Sequence, residues 1–235
     1  LAYKKNGLVM PFIHSRRQLP IFSDPKTVEL VSREATAEEI MKPQLALPNI
    51  LFLGAQKAGS SSLANWLFEG GICHAKSFPG EPSYFAKEAH FFDKDDRFGQ
   101  GVKFYARRFQ HCLESGNTEF IMDATPDYLT YPERIFEFYF KIEADALSKL
   151  KLMVVLREPI SRELSLCNHK IANRGPMTFK QHANGVLRGE PNSRWASTGK
   201  YVDHIKKFLS FIRREQLLVL SYDELKTNPR KTQWR

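Results

Sequence analysis

The chain has 235 residues, 42% of them hydrophobic and 26% charged, and its formal net charge is +9. This length and composition are those of a globular protein and predict one domain around one core. They exclude a membrane-spanning helix within the sequence, because the longest strongly apolar run, residues 152–156, is only as long as a strand. The positive charge suggests an anionic partner or serves solubility alone. The aromatic–basic patterns of RNA-binding modules are missing, so no nucleic acid partner is expected.

The N-terminal part of the sequence differs from the rest. Residues 1–47 show no clear period and contain several prolines, which predicts an irregular arm with a short helix around residues 36–41. The folded domain is expected over residues 48–235. Since the sequence starts with Leu1 and not with methionine, we expect a fragment, and a membrane anchor could lie outside it.

Residues 48–67, with the sequence PNILFLGAQKAGSSSLANWL, contain the first predicted elements of the folded domain. The unbroken apolar run at residues 50–53 fits a strand buried on both faces, and Gly54 ends it. Apolar residues at helical spacing from Leu63 onward predict a helix. The stretch therefore predicts a strand, a tight glycine loop and a helix.

This loop has the residue types of an anion site. Its backbone N–H groups and the helix N-terminus favour an anion at one spot, Lys57 adds a positive charge, and residues 60–62 add serine hydroxyls. Gly54 and Gly59 have the spacing of the nucleotide-binding P-loop, but Ser60 stands where its lysine belongs. The pattern favours a phosphate-bearing ligand handled without a metal ion. The alternative is an ordinary strand–turn–helix with a surface lysine.

The rest of the chain continues this alternation of strands and helices. Further strands are predicted over residues 72–75, 120–122, 150–156 and 217–220, and helices over residues 132–141, 159–172 and 201–212. The polar residues 175–194 give no clear prediction. The order predicts an α/β fold with a parallel sheet flanked by helices. Such sheets bind ligands at the carboxyl ends of their strands, so Gly54, Asp123 and Arg157, which each follow a strand, are expected on one edge.

The loop sequence GAQKAGSSSL resembles the loop that holds the 5′-phosphosulfate of PAPS (3′-phosphoadenosine 5′-phosphosulfate) in sulfotransferases. It is most similar to the form G-x-x-K-x-G-[TS]-[TS] of the Golgi heparan sulfate enzymes. The resemblance implies a P-loop-like nucleotide-binding fold, PAPS as cofactor, PAP as product and no metal. The residues that it implies for binding the cofactor are Lys57, Ala58, Gly59, Ser60, Ser61 and Ser62.

A second stretch, LREPISRELS, has a possible phosphate site of its own. Arg157 follows a predicted strand, and Ser165 comes eight residues later on the helix that Pro159 opens. An arginine fork and a nearby hydroxyl can hold a terminal phosphate. The pair resembles the site that binds the 3′-phosphate in sulfotransferases. The alternative is an arginine that caps a carbonyl group and a serine that faces its own helix.

A third stretch, KEAHFFD at residues 87–93, resembles the K-E-x-H-F-F-D segment of the glucosaminyl 3-O-sulfotransferases. The resemblance implies that Glu88 is the base that takes the proton from the acceptor hydroxyl, since an alcohol is a poor nucleophile until a positioned base acts on it. It also implies that His90 orients Glu88 or contacts the acceptor, with Lys87 and Asp93 on the substrate side. The alternative makes Glu88 and Lys87 solvated charges. Phe91 and its neighbour Phe92 are expected in the core.

The sequence DATPDYL at residues 123–129 resembles the acceptor-side segment E-K-[TS]-P-x-Y of the same family. Asp123 replaces its glutamate and Ala124 its lysine, which puts heparan itself in doubt as the acceptor. Thr125 and Pro126 are expected to shape the acceptor cleft. The resemblance extends to about residue 229, without the basic, glycine-containing loop that usually follows, so a C-terminal part of the domain is expected to be missing.

The three cysteines, Cys73, Cys112 and Cys167, lie far apart in the sequence. They allow one disulfide with a leftover thiol, or three thiols in a reducing compartment. No metal-ligand spacing is visible among them or among the seven histidines.

The motifs in combination predict a PAPS-dependent sulfotransferase. It would move the sulfuryl group in line to a hydroxyl, or an amine, of a carbohydrate acceptor, for which an anionic polysaccharide is a candidate. The Golgi lumen and a membrane anchor follow from the resemblance alone, with the cytoplasm as the location in a prokaryote. One rival is a P-loop kinase or NTPase with Asp123 as its Mg²⁺ ligand. The other is a non-catalytic module that binds an anionic glycan or nucleic acid through the net charge of +9.

Overall fold

A computed structural model describes residues 45–116, 119–142, 145–189 and 198–227 of the chain, without the side chains of residues 173 and 174. Most of the predicted arm, including the helix expected around residues 36–41, lies outside these residues. The same holds for the last residues, 228–235, and for part of the polar stretch 175–194.

The centre of the fold is one parallel sheet of five strands in the order β2-β3-β1-β4-β5. The strands are β1 Ile50–Phe52, β2 Cys73–His74, β3 Ile121–Asp123, β4 Lys151–Leu156 and β5 Leu217–Ser221. Each was predicted from a short apolar run, and the α/β fold with a parallel sheet is confirmed. The central position of β1 explains why its residues are apolar without alternation: both faces of a central parallel strand are covered.

Helices connect and flank the strands. They are α1 Ser60–Glu69, α2 Asp95–Phe98, α3 Gly101–Arg107, α4 Gln110–Glu114, α5 Pro132–Ile142, α6 Ala146–Lys149, α7 Pro159–Arg174, α8 Phe179–Leu187, α9 Tyr201–Leu209 and α10 Tyr222–Thr227. Short 3-10 turns occur at Ser83–Ala86, Tyr128–Thr130 and Arg214–Gln216. The predicted helices correspond to α1, α5, α7 and α9. Helix α8 falls in the polar stretch that gave no prediction, where Thr178 and Gln181 form a capping box.

The core combines the two central strands with a cluster of aromatic rings. Leu51 and Val154 are fully buried in β1 and β4. Phe91 and Phe92 are fully buried, as predicted, and Phe91 stacks on Tyr105 of α3 at a centroid distance of 4.3 Å. This cluster holds the end of the segment that carries the K-E-x-H pattern.

A disulfide joins Cys73 of β2 to Cys112 of α4, and Cys167 is a buried free thiol in α7. The arrangement is the first of the two that the sequence allowed. Among the described residues, no helix has the length and apolar character needed to cross a bilayer.

The register of the sheet places the predicted ligand residues on one edge. Leu51 of β1 pairs with Asp123 of β3 on one side and with Leu152 of β4 on the other. Because all three strands run parallel, their carboxyl ends meet at the same edge. Gly54 and Arg157 lie just past β1 and β4, as predicted, whereas Asp123 is the last residue of β3 and does not follow it.

Candidate active site

The loop between β1 and α1 is held in a conformation that depends on its glycines. A Cβ atom at Gly54 would lie 2.3 Å from the carbonyl oxygen of Pro126, so only glycine permits this contact between the loop and the segment after β3. Lys57 and Gly59 both have positive φ, of 67° and 81°. These turns bring the chain sharply into α1.

The N-terminus of α1 is open to a ligand. Its N-cap is Gly59, which has no side chain to satisfy the first amide groups of the helix. Ser60 is buried at the first helical position, whereas Ser61 and Ser62 are exposed. The N-terminus of α7 differs, because the Glu158 carboxylate already accepts hydrogen bonds from two of its amides. Of these two helix starts at the sheet edge, α1 is the one suited to bind an anion.

Arg157 lies against this loop. Its Nη1 donates to the carbonyl oxygen of Lys57 at 3.1 Å, and its guanidinium lies over the ring of Tyr222 at 4.5 Å. The hydroxyl of Tyr201 donates to its carbonyl oxygen at 2.9 Å. The hydrogen bond to Lys57 O is the kind of contact that the alternative interpretation, an arginine that caps a carbonyl group, expected. It uses only one of the five N–H donors of the guanidinium. Ser165 is half-buried on the second turn of α7.

The third motif forms a hydrogen-bonded cluster around Glu88. One oxygen of its carboxylate accepts from Lys87 Nζ, and the other lies 3.1 Å from Nε2 of His90. The Nδ1 atom of His90 lies 2.7 Å from Oδ2 of Asp93, whose side chain is only 4% exposed. Glu88 and Lys87 are therefore paired and partly buried, unlike the solvated charges of the alternative interpretation.

The neighbours in this cluster set its charges. Burial tends to raise the pKa of Glu88, but the hydrogen bond with His90 and the charge of Lys87 outweigh it and lower the pKa below the ordinary value. Burial tends to lower the pKa of His90, but hydrogen bonds to Asp93 and Glu88 outweigh it and raise the pKa to about 9. At neutral pH the arrangement is thus an imidazolium between two carboxylates.

Backbone contacts join this cluster to the end of β3. Ala124 N donates to Lys87 O at 3.3 Å, and His90 N donates to the Thr125 hydroxyl at 3.2 Å. Pro126 follows and contacts Gly54 of the glycine loop. The residues predicted from separate motifs are therefore neighbours on one edge of the sheet.

Asp123 is fully buried, and both of its carboxylate oxygens are in use. One accepts from the hydroxyls of Tyr105 and Tyr128 at 2.8 and 2.7 Å, and the other from the Thr125 hydroxyl at 2.7 Å and from Ala89 N. Burial raises the pKa of Asp123, against the effect of these hydrogen bonds. Thr125 and Pro126 are buried as well, so they could contribute to an acceptor cleft only through its shape.

Several residues of the site were not predicted. Asp127 is half-buried, and its carboxylate lies within 4.8 Å of ligand atoms of His90 and Asp93. Burial, followed by the charge of Asp93, raises the pKa of Asp127. Its place in the DATPDYL stretch was the only signal for it. Tyr222, which packs on Arg157, ends a stretch, residues 216–222, that resembles the later half of the family but was interpreted as scaffold.

Two groups of side chains have the spacing of metal ligands within the part of the chain that the structure describes. The first is Cys73, His111 and Cys112, in which the cysteines form the disulfide and so offer no thiolate. The second is His90, Asp93 and Asp127, in which both imidazole nitrogens already face carboxylates.

Comparison with known proteins gives consistent matches. The model of the sulfotransferase domain family matches residues 47–233. Heparan sulfate glucosamine 3-O-sulfotransferase 5 of Homo sapiens is 25% identical over 194 residues, which cover 78% of this chain and 50% of that protein. Bifunctional heparan sulfate N-deacetylase/N-sulfotransferase 1 of Caenorhabditis briggsae is 24% identical over 233 residues, 91% of this chain and 25% of that protein. The chain thus spans a quarter to a half of the length of these relatives.

A solved structure shares the fold. The sulfotransferase from Alicyclobacillus acidocaldarius superposes with a TM-score of 0.61 at 24% identity, over 78% of this chain and 76% of that one. The expected P-loop-like arrangement of a parallel sheet with flanking helices agrees with this match.

Proposed function

This chain belongs to the sulfotransferase domain family, and we propose that it transfers the sulfuryl group of PAPS to a hydroxyl, or an amine, of a carbohydrate. One observation carries the proposal. The open N-terminus of α1 and the ionised Glu88 lie on the same edge of the sheet, joined through the contact of Gly54 with Pro126. A donor and an acceptor bound at these two places would meet between them.

The glycine loop suits the phosphosulfate end of PAPS. Residues 57–62 offer backbone amides, serine hydroxyls and the charge of Lys57 to an anion at the start of α1. Arg157 and Ser165 would hold the 3′-phosphate, and Tyr222 supports the Arg157 guanidinium from one side. PAPS, when bound, would supply the activated sulfuryl group.

Glu88 is proposed as the base. It is ionised at neutral pH and would take the proton of the acceptor hydroxyl as that oxygen attacks sulfur. His90 and Asp93 orient its carboxylate through hydrogen bonds of 3.1 and 2.7 Å. Lys57 and the loop amides would stabilise the negative charge that develops on the leaving phosphate oxygen.

The class of acceptor and the cellular compartment are proposed from the relatives, the net charge and the disulfide, and not from the geometry of the site. The relatives named for heparan sulfate and the net charge of +9 favour a glycosaminoglycan or another anionic polysaccharide. Ala124 is buried and offers no charge to such a chain. The disulfide between Cys73 and Cys112 favours an oxidising compartment, which fits the Golgi lumen and not the cytoplasm.

The kinase alternative is weakened by Asp123. A Mg²⁺-binding aspartate needs an oxygen that faces the metal, whereas both oxygens of Asp123 accept hydrogen bonds inside the core. The binding-module alternative explains the charge but gives no role to the cluster around Glu88.

The experiment is retention on immobilised PAP, with ATP as competitor, followed by transfer from labelled PAPS to a panel of oligosaccharides. We expect retention that ATP displaces poorly, and transfer that Lys57→Ala reduces on the order of a hundredfold. Lys141→Ala, an exposed lysine of α5 paired with Glu137, is the control and should match the parent. The contrary outcome is that ATP elutes the bound protein at the same concentration as PAP and that no sulfate is transferred to any acceptor. It would favour a kinase or a binding module.

A further inference from the structure

We infer that Tyr84 is a binding platform for the acceptor: its exposed ring would carry the apolar face of the sugar whose hydroxyl meets Glu88. This inference rests on the proposed function and adds a residue to it. Tyr84 lies in the 3-10 turn Ser83–Ala86, just before the K-E-x-H pattern.

The position of Tyr84 is the first argument. Its side chain is 53% exposed, although it adjoins a partly buried cluster. The centroid of its ring lies 6.3 Å from that of the His90 imidazole, with the two planes at 87°. His90 contacts Glu88 through Nε2, so the exposed aromatic ring lies beside the proposed base. A pyranose ring that presents a hydroxyl to Glu88 would extend over the neighbouring ring of Tyr84.

The attachment of Tyr84 is the second argument. Its carbonyl oxygen accepts hydrogen bonds from the amides of both Lys87 and Glu88, each at 3.0 Å. The ring and the base therefore belong to one short backbone unit. A sugar that rests on the ring would be positioned relative to the carboxylate that must take its proton.

The ring is also supported from behind. Phe85 packs against Tyr84 at a centroid distance of 4.4 Å, and the guanidinium of Arg97 lies 3.8 Å from the centre of the Phe85 ring. Arg97 in turn donates to Ala89 O and Glu81 Oε1, each at 3.0 Å. A ring held in this way loses little conformational freedom when a ligand binds.

The chemistry of the surroundings selects a sugar. The charged groups nearest the base are engaged with one another, Lys87 with Glu88 and His90 with Asp93, so the contact with the reacting sugar ring falls to the uncharged Tyr84 side chain even in an anionic acceptor. A tyrosine ring offers an apolar face with a polar tip, which matches a pyranose with its C–H face and hydroxyl rim. Ligand sites commonly combine such an aromatic wall with a few placed polar groups.

The test measures the acceptor KM, kcat and the Kd of PAP for four variants. The acceptors are tetra-N-acetylchitotetraose, which is neutral, and a heparosan tetrasaccharide, which is anionic. Tyr84→Leu and Tyr84→Ala should raise the acceptor KM about fivefold to tenfold, with the Kd of PAP at the parental value. Tyr84→Phe keeps the ring and should stay within twofold to threefold of the parent. Phe140→Ala, which removes a 72% exposed ring of α5, is the matched control and should change nothing.

The outcomes separate the inference from the proposed function. A parental acceptor KM in Tyr84→Leu overturns the platform and leaves the sulfotransferase proposal standing. Loss of PAP binding or of the cooperative melting transition in Tyr84→Leu would mean that the ring is structural, which also overturns the platform. A parent protein that binds PAP but sulfates neither these two acceptors nor any member of the oligosaccharide panel overturns the carbohydrate acceptor, and the platform with it.

Discussion

The carboxylate of Glu88 is held by two cationic neighbours, and this sets what a substitution there should do. Glu88→Gln keeps the size and most of the hydrogen-bonding shape of the side chain but removes the base. Because the proposed function puts Glu88 on the acceptor side of the edge, the variant should bind PAP with nearly the parental affinity. Its sulfate transfer should fall by a factor of about 100 to 10,000 at every pH. PAP affinity, turnover and a melting curve on one preparation check this, and full turnover in a folded variant would contradict the role of Glu88.

His90 makes a second prediction, on stability. Its pKa is raised from the ordinary value of 6.5 to about 9. The protonated His90 therefore stabilises the fold fully below pH 6.5, and this stabilisation is lost as the pH rises towards 9. The free energy of unfolding of the parent should therefore fall over this window, by at most about 1.4 kcal/mol per pH unit from this group. His90→Gln should remove that part of the slope. Urea denaturation at several pH values measures it.

The control for this prediction is Phe140→Ala, which removes an exposed ring of α5 and no titrating group. It should keep the parental slope. Equal slopes in the parent and in His90→Gln would contradict a protonated His90 between Glu88 and Asp93.

The residues of the cluster differ in how far the sequence predicts them. Glu88, His90 and Asp93 lie within six residues of one another and belong to one motif, so their proximity was expected. Asp127 joins them only because the chain after β3 passes beside His90. Tyr84 belongs to no motif. Its proposed role as a binding platform depends on the exposure of its ring, which cannot be read from the sequence.

At the scale of elements, hydrophobic runs predicted the strands well because the strands are short and the three in the middle of the sheet, β1, β3 and β4, are mostly buried. Helices α2, α3 and α4 were missed, since they have only four to seven residues and show too few turns for a helical period. They come between β2 and β3 in the chain, and Tyr105 of α3 supplies one of the hydrogen bonds to Asp123. The sequence therefore predicted the sheet but not the element that supports the end of β3.

The disulfide staples two of these elements, the edge strand β2 and helix α4. It closes a loop between positions separated by 39 residues, for which the chain-entropy model gives a stabilisation of about 4 kcal/mol. The double variant Cys73→Ala/Cys112→Ala should lose roughly that amount in urea denaturation, and dithiothreitol should destabilise the parent but not the variant.

Cys167→Ala is the comparison for this prediction, because it removes a buried sulfur without removing a cross-link. It should cost about 1–2 kcal/mol and keep the sensitivity to dithiothreitol. If the reductant leaves the unfolding curve of the parent unchanged, the predicted stabilisation by the disulfide is contradicted.

At the scale of the whole molecule, the order of the strands brings the site together. The sequence predicted parallel strands but not their order, which depends on packing between distant segments. With β1 between β3 and β4, the glycine loop has the Asp123 segment on one side and Arg157 on the other. Binding at the carboxyl edge was predictable from the fold class, whereas the contact of Gly54 with Pro126 was not.

The arrangement of charge on this edge predicts independence from metal ions. In a P-loop kinase, Mg²⁺ neutralises the transferred group and is held by an acid after a strand. Here the acid in that position, Asp123, is fully buried with its oxygens engaged, and Lys57 and the start of α1 provide positive charge in the loop instead. Transfer from PAPS should therefore remain at the parental rate after treatment with EDTA and removal of the chelator, and added Mg²⁺ should not increase it more than about twofold.

The measurement is turnover before and after chelation, with a Mg²⁺-dependent kinase treated in parallel to show that the chelation was effective. Loss of activity that Mg²⁺ restores would assign the edge to metal-dependent phosphoryl chemistry, and Asp123→Asn, which should otherwise act only through stability, would then abolish the restored activity.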